Sequence, residues 1–287
     1  MEVTIRPTID ADVDDVGQIL YDAFNAIADL HNFPHDFPTL EVAKTAAKQR
    51  IAHPRFYGIV AEGGGSIVGS NFLDERGEVR AVGPISVDPS VQERGIGRQL
   101  MTAVIRRAQG ARSLRLVQDA FNTLSMPLYA SLGFEVKEPL VLMRGRLRAG
   151  PLADSLVCPL RNDDAYECSR LHEAVHGVER LEEIRDAIRH LSPHAIIRRG
   201  KITGYITSIT NWGVAHAVAD TEDDLRELLA GVANKSRDSL SFLLPTRQST
   251  LFGWCLAGGL RVVKPMTLMA MGEYREPRGA WFPSVLY

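Results

Sequence analysis

One stretch of the chain is suited to chemistry: Gly83-Pro84-Ile85-Ser86-Val87-Asp88-Pro89-Ser90-Val91-Gln92-Glu93-Arg94-Gly95-Ile96-Gly97-Arg98-Gln99-Leu100. It reads as a strand, a glycine loop and the start of a helix. Gly95 and Gly97 let the backbone bend sharply and come close to a ligand. The unpaired N–H groups that open the helix point at whatever sits there, and with the helix dipole they suit a pyrophosphate. Arg94 and Arg98 add positive charge beside it. Two dinucleotide patterns fail. The Rossmann fingerprint needs a third glycine where Leu100 stands, and the Gly-Lys-Ser/Thr of a P-loop is absent.

The elements that must position this loop are legible as an alternation of strands and helices. Residues 3–6 form a strand candidate, closed by Pro7 and the acidic cluster Asp10-Ala11-Asp12, which supplies a helix start. Val13, Val16, Ile19, Leu20, Phe24 and Ile27 then recur along one helical face. Two prolines break the pattern in residues 31–38, and residues 39–51 read as a second helix. Residues 56–61 and 66–73 flank a triple-glycine turn as a hairpin, and 81–87 is the next strand. A helix over 97–109, a strand over 113–117, a helix over 122–132 and a strand over 134–144 complete the series.

In that context the spacing Gln92-x-x-Gly95-x-Gly97 resembles the acyl-CoA loop of the GNAT N-acetyltransferase superfamily. Asn122 followed by Leu128-Tyr129-Ala130-Ser131-Leu132-Gly133-Phe134 resembles the same family's Asn…LY-x-x-x-GF block. The resemblance covers roughly residues 3–145. It implies that backbone N–H groups from Gln92 through Arg98, including Arg94, Gly95, Ile96 and Gly97, hold the pyrophosphate of acetyl-CoA. It implies that strand backbone at Ile85, Ser86 and Val87 pairs with the pantetheine arm and that the Asn122 amide bonds it. Tyr129 would lie near the thioester sulfur and protonate the departing thiolate. A thiol titrates near 8.5 and a tyrosine near 10, so a positioned phenol can donate as thiolate charge develops.

A lysine-like amine, with a pKa of about 10.4, must lose a proton before it attacks. Asp74, Glu75, Glu78 and Asp119 are the candidate bases, and each is also an ordinary loop carboxylate. Asp119 follows a strand end, where open sheets place ligands, and is taken as the catalytic candidate. Asp74 and Glu75, with His31 and Asp36 of the proline-bounded loop, are expected on the acceptor side. His31 and His35 have a metal-like spacing, but Pro34 between them disfavours a helix and no third ligand is evident. No metal is expected.

The second half repeats the first. Residues 132–143, LGFEVKEPLVLM, match 258–269, GGLRVVKPMTLM, without a gap at an offset of 126. The hairpin ending at Gly69 matches one ending at Gly204, and Ile5-Arg6-Pro7 with its acidic turn matches Val157-Cys158-Pro159 at an offset of 152. The same order in all three matches points to two copies of one fold. Gly150-Pro151 is the expected linker between domains 1–148 and 149–287. The stretch equivalent to the glycine loop, 217–229, has no glycines and carries Glu222, Asp223 and Asp224. Those carboxylates would repel a pyrophosphate and suit a helix N-terminus instead. Cys255 falls where Tyr129 stands, and is expected to be a buried apolar residue.

Composition sets the outer limits. The 287 residues, 45% hydrophobic and 24% charged, fit an ordinary globular chain near two domains long. The 33 basic and 35 acidic residues give a charge of −2, evenly spread over the halves, so no nucleic-acid footprint is expected. No apolar run approaches a membrane span, no signal-peptide pattern opens the chain, and three scattered cysteines make no disulfide framework. The expectation is α+β (mixed α/β): two tandem GNAT-like domains, each a mostly antiparallel twisted sheet flanked by helices, the second degenerate. The expected activity is direct transfer of acetyl from acetyl-CoA to a primary amine of a small molecule, in the cytoplasm, by a monomer or homodimer with no nucleic-acid or membrane partner. The alternative is a non-catalytic acyl-CoA sensor, which shares the loop but has no use for Tyr129. A longer acyl chain or an alcohol acceptor is a third reading.

Overall fold

The computed structural model describes residues 2–148, 156–235 and 238–286; the expected linker Gly150-Pro151 lies outside the described residues. The chain divides into two compact units. The first comprises Met1–Leu116 and Phe121–Phe134, the second Val117–Ala120 and Glu135–Tyr287.

In the first unit, β1 (Val3–Pro7) leads through a tight turn into α1 (Val13–Leu30). The Asp12 carboxylate fixes that turn by accepting from the Ile9 N–H at 2.8 Å and from Arg6 at 2.7 Å. Thr39 caps α2 (Leu40–Ala52) through its hydroxyl. Val16 and Leu20 of α1, with Ala43 and Ala47 of α2, pack on Val60 and Phe72 of the hairpin strands β2 (Phe56–Gly63) and β3 (Ser66–Asp74). Then come β4 (Val79–Val82), β5 (Ser86–Val87), α3 (Ile96–Arg107), β6 (Ser113–Asp119) and α4 (Ser125–Ser131). The strand order is β1-β2-β3-β4-β6, with β5 paired to β3. The β4–β6 pairing is parallel, and those of β1, β2, β3, β4 and β5 with one another are antiparallel.

Two elements differ from the sequence reading. The strand expected over 81–87 is two short strands separated at Gly83-Pro84, since proline has no N–H for a ladder. The helix expected from Asn122 starts at Ser125, because the Asn122 side-chain oxygen takes the N–H groups of Leu124 and Ser125 and holds the chain in a turn.

The second unit contains β7 (Glu135–Gly145), β8 (Leu156–Pro159), α5 (Ala165–His176), α6 (Leu181–His190), β9 (His194–Arg198), β10 (Lys201–Ile206), β11 (Ala217–Ala219), α7 (Glu222–Lys235), β12 (Leu240–Pro245), α8 (Ser249–Ala257), β13 (Arg261–Gly272) and β14 (Ala280–Phe282). One antiparallel sheet runs β14-β11-β10-β9-β8. In the other, β7 lies antiparallel between β12 and β13, and the end of β6 from Val117 borders β13. The apolar core between these layers includes Met143, Leu228, Phe242, Leu251 and Phe282. Phe242 and Phe282 stack at 4.6 Å. No helix among the described residues is long and apolar enough to cross a membrane.

The repeat is visible as geometry. Phe134 N–H bonds Tyr129 C=O at 3.1 Å, and 126 residues later Leu260 N–H bonds Cys255 C=O at 3.0 Å. Gly133 and Gly259, which precede those strands, have φ of 98° and 102°. The Ile9 turn recurs as Arg161 N–H to the Asp164 carboxylate, again 2.8 Å.

Candidate functional site

The loop after β5 is built for close backbone approach. Asp88 turns the chain by accepting from the Ser90 N–H and hydroxyl at 2.8 and 2.7 Å. Gln92 Nε2 ties the loop back to the Val87 carbonyl at 3.1 Å. Gly95, directly before α3, sits at φ 82°, where an L side chain is strained. Glu93 also has positive φ, at 63°. The first turn of α3 contains no acidic residue, so its N-terminal field is not cancelled by its own side chains. Arg94 and Arg98 are both exposed. One Arg98 Nη donates to Ser131 Oγ at 2.8 Å, leaving the rest of a five-donor guanidinium for a ligand.

Three elements converge here. A Cβ placed on Gly97 would stand 3.4 Å from Leu128 of α4 and 3.8 Å from Val87 of β5. Ser86 is buried and turns its hydroxyl to Ser70 at 2.9 Å, with half-buried Ile85 and Val87 on either side of it. Asn122, having spent its oxygen on capping α4, has its two N–H donors at the opposite end of the amide. Tyr129 is 6% exposed and meets the Phe134 ring edge-on at 6.3 Å. On the expected acceptor side, Phe33 stacks on Phe121 at 4.1 Å and His31 lies 5.3 Å from the same ring, so the proline-bounded loop adjoins the residue before Asn122. Asp36 in that loop is half-buried, and His35 pairs with Asp29 at 2.7 Å. Phe121 was not singled out in the sequence. Its only signal is an aromatic placed one residue before the motif asparagine.

The candidate bases are engaged elsewhere. Asp74 is buried and held by Arg76 at 2.5 Å. Glu75 accepts from Arg80 and Arg107, each at 3.1 Å. Glu78 faces Arg112 at 3.7 Å. Asp119 lies 2.7 Å from the buried ammonium of Lys264.

At the corresponding place in the second copy, α7 opens on its own carboxylates. Asp224 accepts from the Thr221 and Thr203 hydroxyls at 2.7 and 3.1 Å and from Arg198, while Glu222 and Asp223 bind Arg226. These anions occupy the positive end of the helix. Burial pushes the Cys255 thiol up to about 12 and raises that of Cys168 as well. Thiolate is the reactive form. The native protein at pH 8 is therefore expected to react with a thiol reagent at Cys158 alone, and at all three after unfolding. Rapid labelling of Cys255 in the native state, read by peptide mass, would contradict this burial.

The GNAT acetyltransferase family pattern matches residues 20–134, which takes in the loop, Asn122 and Tyr129 and ends at Phe134. That segment carries a GNAT acetyltransferase domain. Among solved structures, a putative acetyltransferase from Pyrococcus horikoshii superposes with a TM-score of 0.78 at 17% identity, covering 99% of this chain and 94% of the other. A tandem GNAT protein from the clavulanic acid biosynthesis pathway gives 0.62 at 15% identity, with 94% and 98% coverage. A GCN5-related N-acetyltransferase from Sphaerobacter thermophilus gives 0.62 at 12%, with 96% and 97% coverage. These likenesses establish a tandem GNAT fold along almost the whole chain. No curated protein matches the sequence. The family pattern stops where the first compact unit stops, at Phe134.

Proposed function

We propose that the first unit binds acetyl-CoA and transfers its acetyl group directly to a primary amine of a small molecule in the cytoplasm. The observation that carries the donor site is the left-handed Gly95 opening α3, whose first turn lacks acids, beside β5 and α4. Backbone N–H groups of Gln92 through Arg98 would hold the pyrophosphate, with Arg94 and Arg98 flanking it. Backbone at Ile85 to Val87 and the Asn122 amide would hold the pantetheine. Tyr129 would donate to the leaving sulfur. The Phe33–Phe121 stack with His31 and Asp36 supports a compact, partly aromatic acceptor pocket with one carboxylate, which suits a small cationic amine. Asp74, Glu75 and Asp119 stay candidate carboxylates for the acceptor, each already held in an ion pair, with Arg76, with Arg80 and Arg107, and with Lys264.

Acetyl-CoA at about a hundred times its Kd should stabilise the protein by about 2.7 kcal/mol. Gly95→Glu is expected to remove that protection. It puts a carboxylate at the anion site, yet a Cβ there meets nothing within 4 Å, so the variant folds at a cost of about 1–2 kcal/mol for its backbone strain. Survival of the protection in Gly95→Glu would overturn the pyrophosphate assignment. Release of free CoA only when small amines are supplied identifies turnover. Protection without release would mark a sensor.

A further inference from the structure

β7 and β13 are one strand written twice. Their alternation of buried and exposed positions agrees through the first nine residues, so the apolar pattern does not tell them apart. A buried charged position does. It holds Glu138 in β7 and Lys264 in β13, each less than 4% exposed. Lys264 Nζ lies 2.7 Å from Asp119 at the end of β6. Glu138 lies 3.4 Å from Arg247 just past β12, and also accepts from the Tyr274 hydroxyl at 3.0 Å. The two contacts have opposite signs, though Asp119 corresponds in the repeat to Pro245 and Arg247 to Phe121. The backbone relates the strand pairs that carry them. Ala120 N–H bonds Pro265 C=O at 3.2 Å, and Thr246 N–H bonds Pro139 C=O at 3.0 Å, with donors and acceptors both 126 residues apart.

We infer that the inverted charges select pairing of unlike copies within one chain and reject pairing of like copies between two chains. The partner excluded is a second copy of this chain. Because the two registers are related by the repeat, β7 of another molecule can take the place of β13 beside β6 with every backbone bond kept. Glu138 would then face Asp119, and in the matching pair Lys264 would face Arg247. A Glu138–Asp119 clash would be buried and carry a large desolvation and repulsion cost, whereas Arg247 keeps about half its side chain in solvent, so the first contact does most to act against a wrong partner that hydrophobicity alone admits. An open-ended exchange between molecules is the hazard they suppress.

Disulfide trapping tests this in the full chain. Leu142 stands opposite Leu243 of β12, and Val117 is the repeat equivalent of Leu243. Positions 117 and 142 are two strands and about four residues of register apart within one molecule, about 16 Å and too far for a disulfide. They become neighbours only when like copies pair between molecules. With native charges, Val117→Cys/Leu142→Cys should give no 117–142 dimer after refolding and oxidation. Leu142→Cys/Leu243→Cys should close within the chain. Adding Glu138→Lys and Lys264→Glu transfers complementarity to the like pairing. More than half of the folded chains should then appear as 117–142 dimers, mapped by peptide mass. Cooperative folding of that variant with only the 142–243 bridge overturns the inference. If it does not fold, the neutral variant Asp119→Asn/Glu138→Gln/Arg247→Gln/Lys264→Met decides. It should yield both bridges, and formation of the intrachain bridge alone overturns the inference.

Discussion

Tyr129→Phe is expected to lower kcat by about 10²–10⁴-fold, the range for loss of a positioned general acid, while acetyl-CoA still protects against unfolding. The substitution keeps the ring that packs edge-on against Phe134, so the fold and the glycine loop are left in place. What goes is the hydroxyl. Without it the thiolate, whose conjugate acid titrates near 8.5, must leave as an anion into a largely buried setting or take its proton from water. The defect should therefore be greatest in acyl transfer and small in the apparent KM for acetyl-CoA. A kcat within about threefold of the wild type, with chemistry shown to limit turnover by burst kinetics, would remove Tyr129 from the reaction. Since Cys255 occupies the matching place in the second copy with its thiol pushed up by burial, no compensating acid is supplied there.

Local features of this site were legible because they are written in adjacent residues. Gly95 and Gly97 before an amphipathic helix, the Asn122 to Phe134 block and the repeat at 126 each depend on spacing alone. Pro84 carried enough information to divide the strand over 81–87, and Asn122 enough to delay α4, had turn chemistry been weighed against periodicity. The ion pairs were not legible. Asp119 meets Lys264 across 145 residues of sequence, and Glu75 meets Arg107 across 32. Nothing in a carboxylate's neighbours announces such a partner. Likewise α5 and α6 carry His172, His176 and Arg180 at or between their ends, and these gather with His216 and Tyr205 inside the second unit. Burial there keeps His216 well below its ordinary pKa and raises that of Tyr205. That polar cluster is assembled by packing between elements, and no short-range pattern encodes it.

Lys264→Met is expected to destabilise the protein by about 3–5 kcal/mol, the cost of stranding one member of a buried pair. Lys264 is 2% exposed and its partner Asp119 only 10% exposed at the side chain, so solvent does little to screen the remaining carboxylate. The ammonium also lies 5.1 Å from the face of Trp212, a contact methionine retains only through its thioether. Adding Asp119→Asn should recover most of the loss, because the residual charge is what makes the single variant costly. Urea unfolding of the wild type and these two variants measures this. A loss below about 1 kcal/mol for Lys264→Met would mean the pair behaves like one at the surface. The same double variant separates the two roles open to Asp119. With stability regained, a collapse of amine-dependent CoA release would assign the carboxylate to proton transfer from the acceptor. Undiminished release would assign Asp119 to holding β13 beside β6, and the acceptor's proton would then leave by another route.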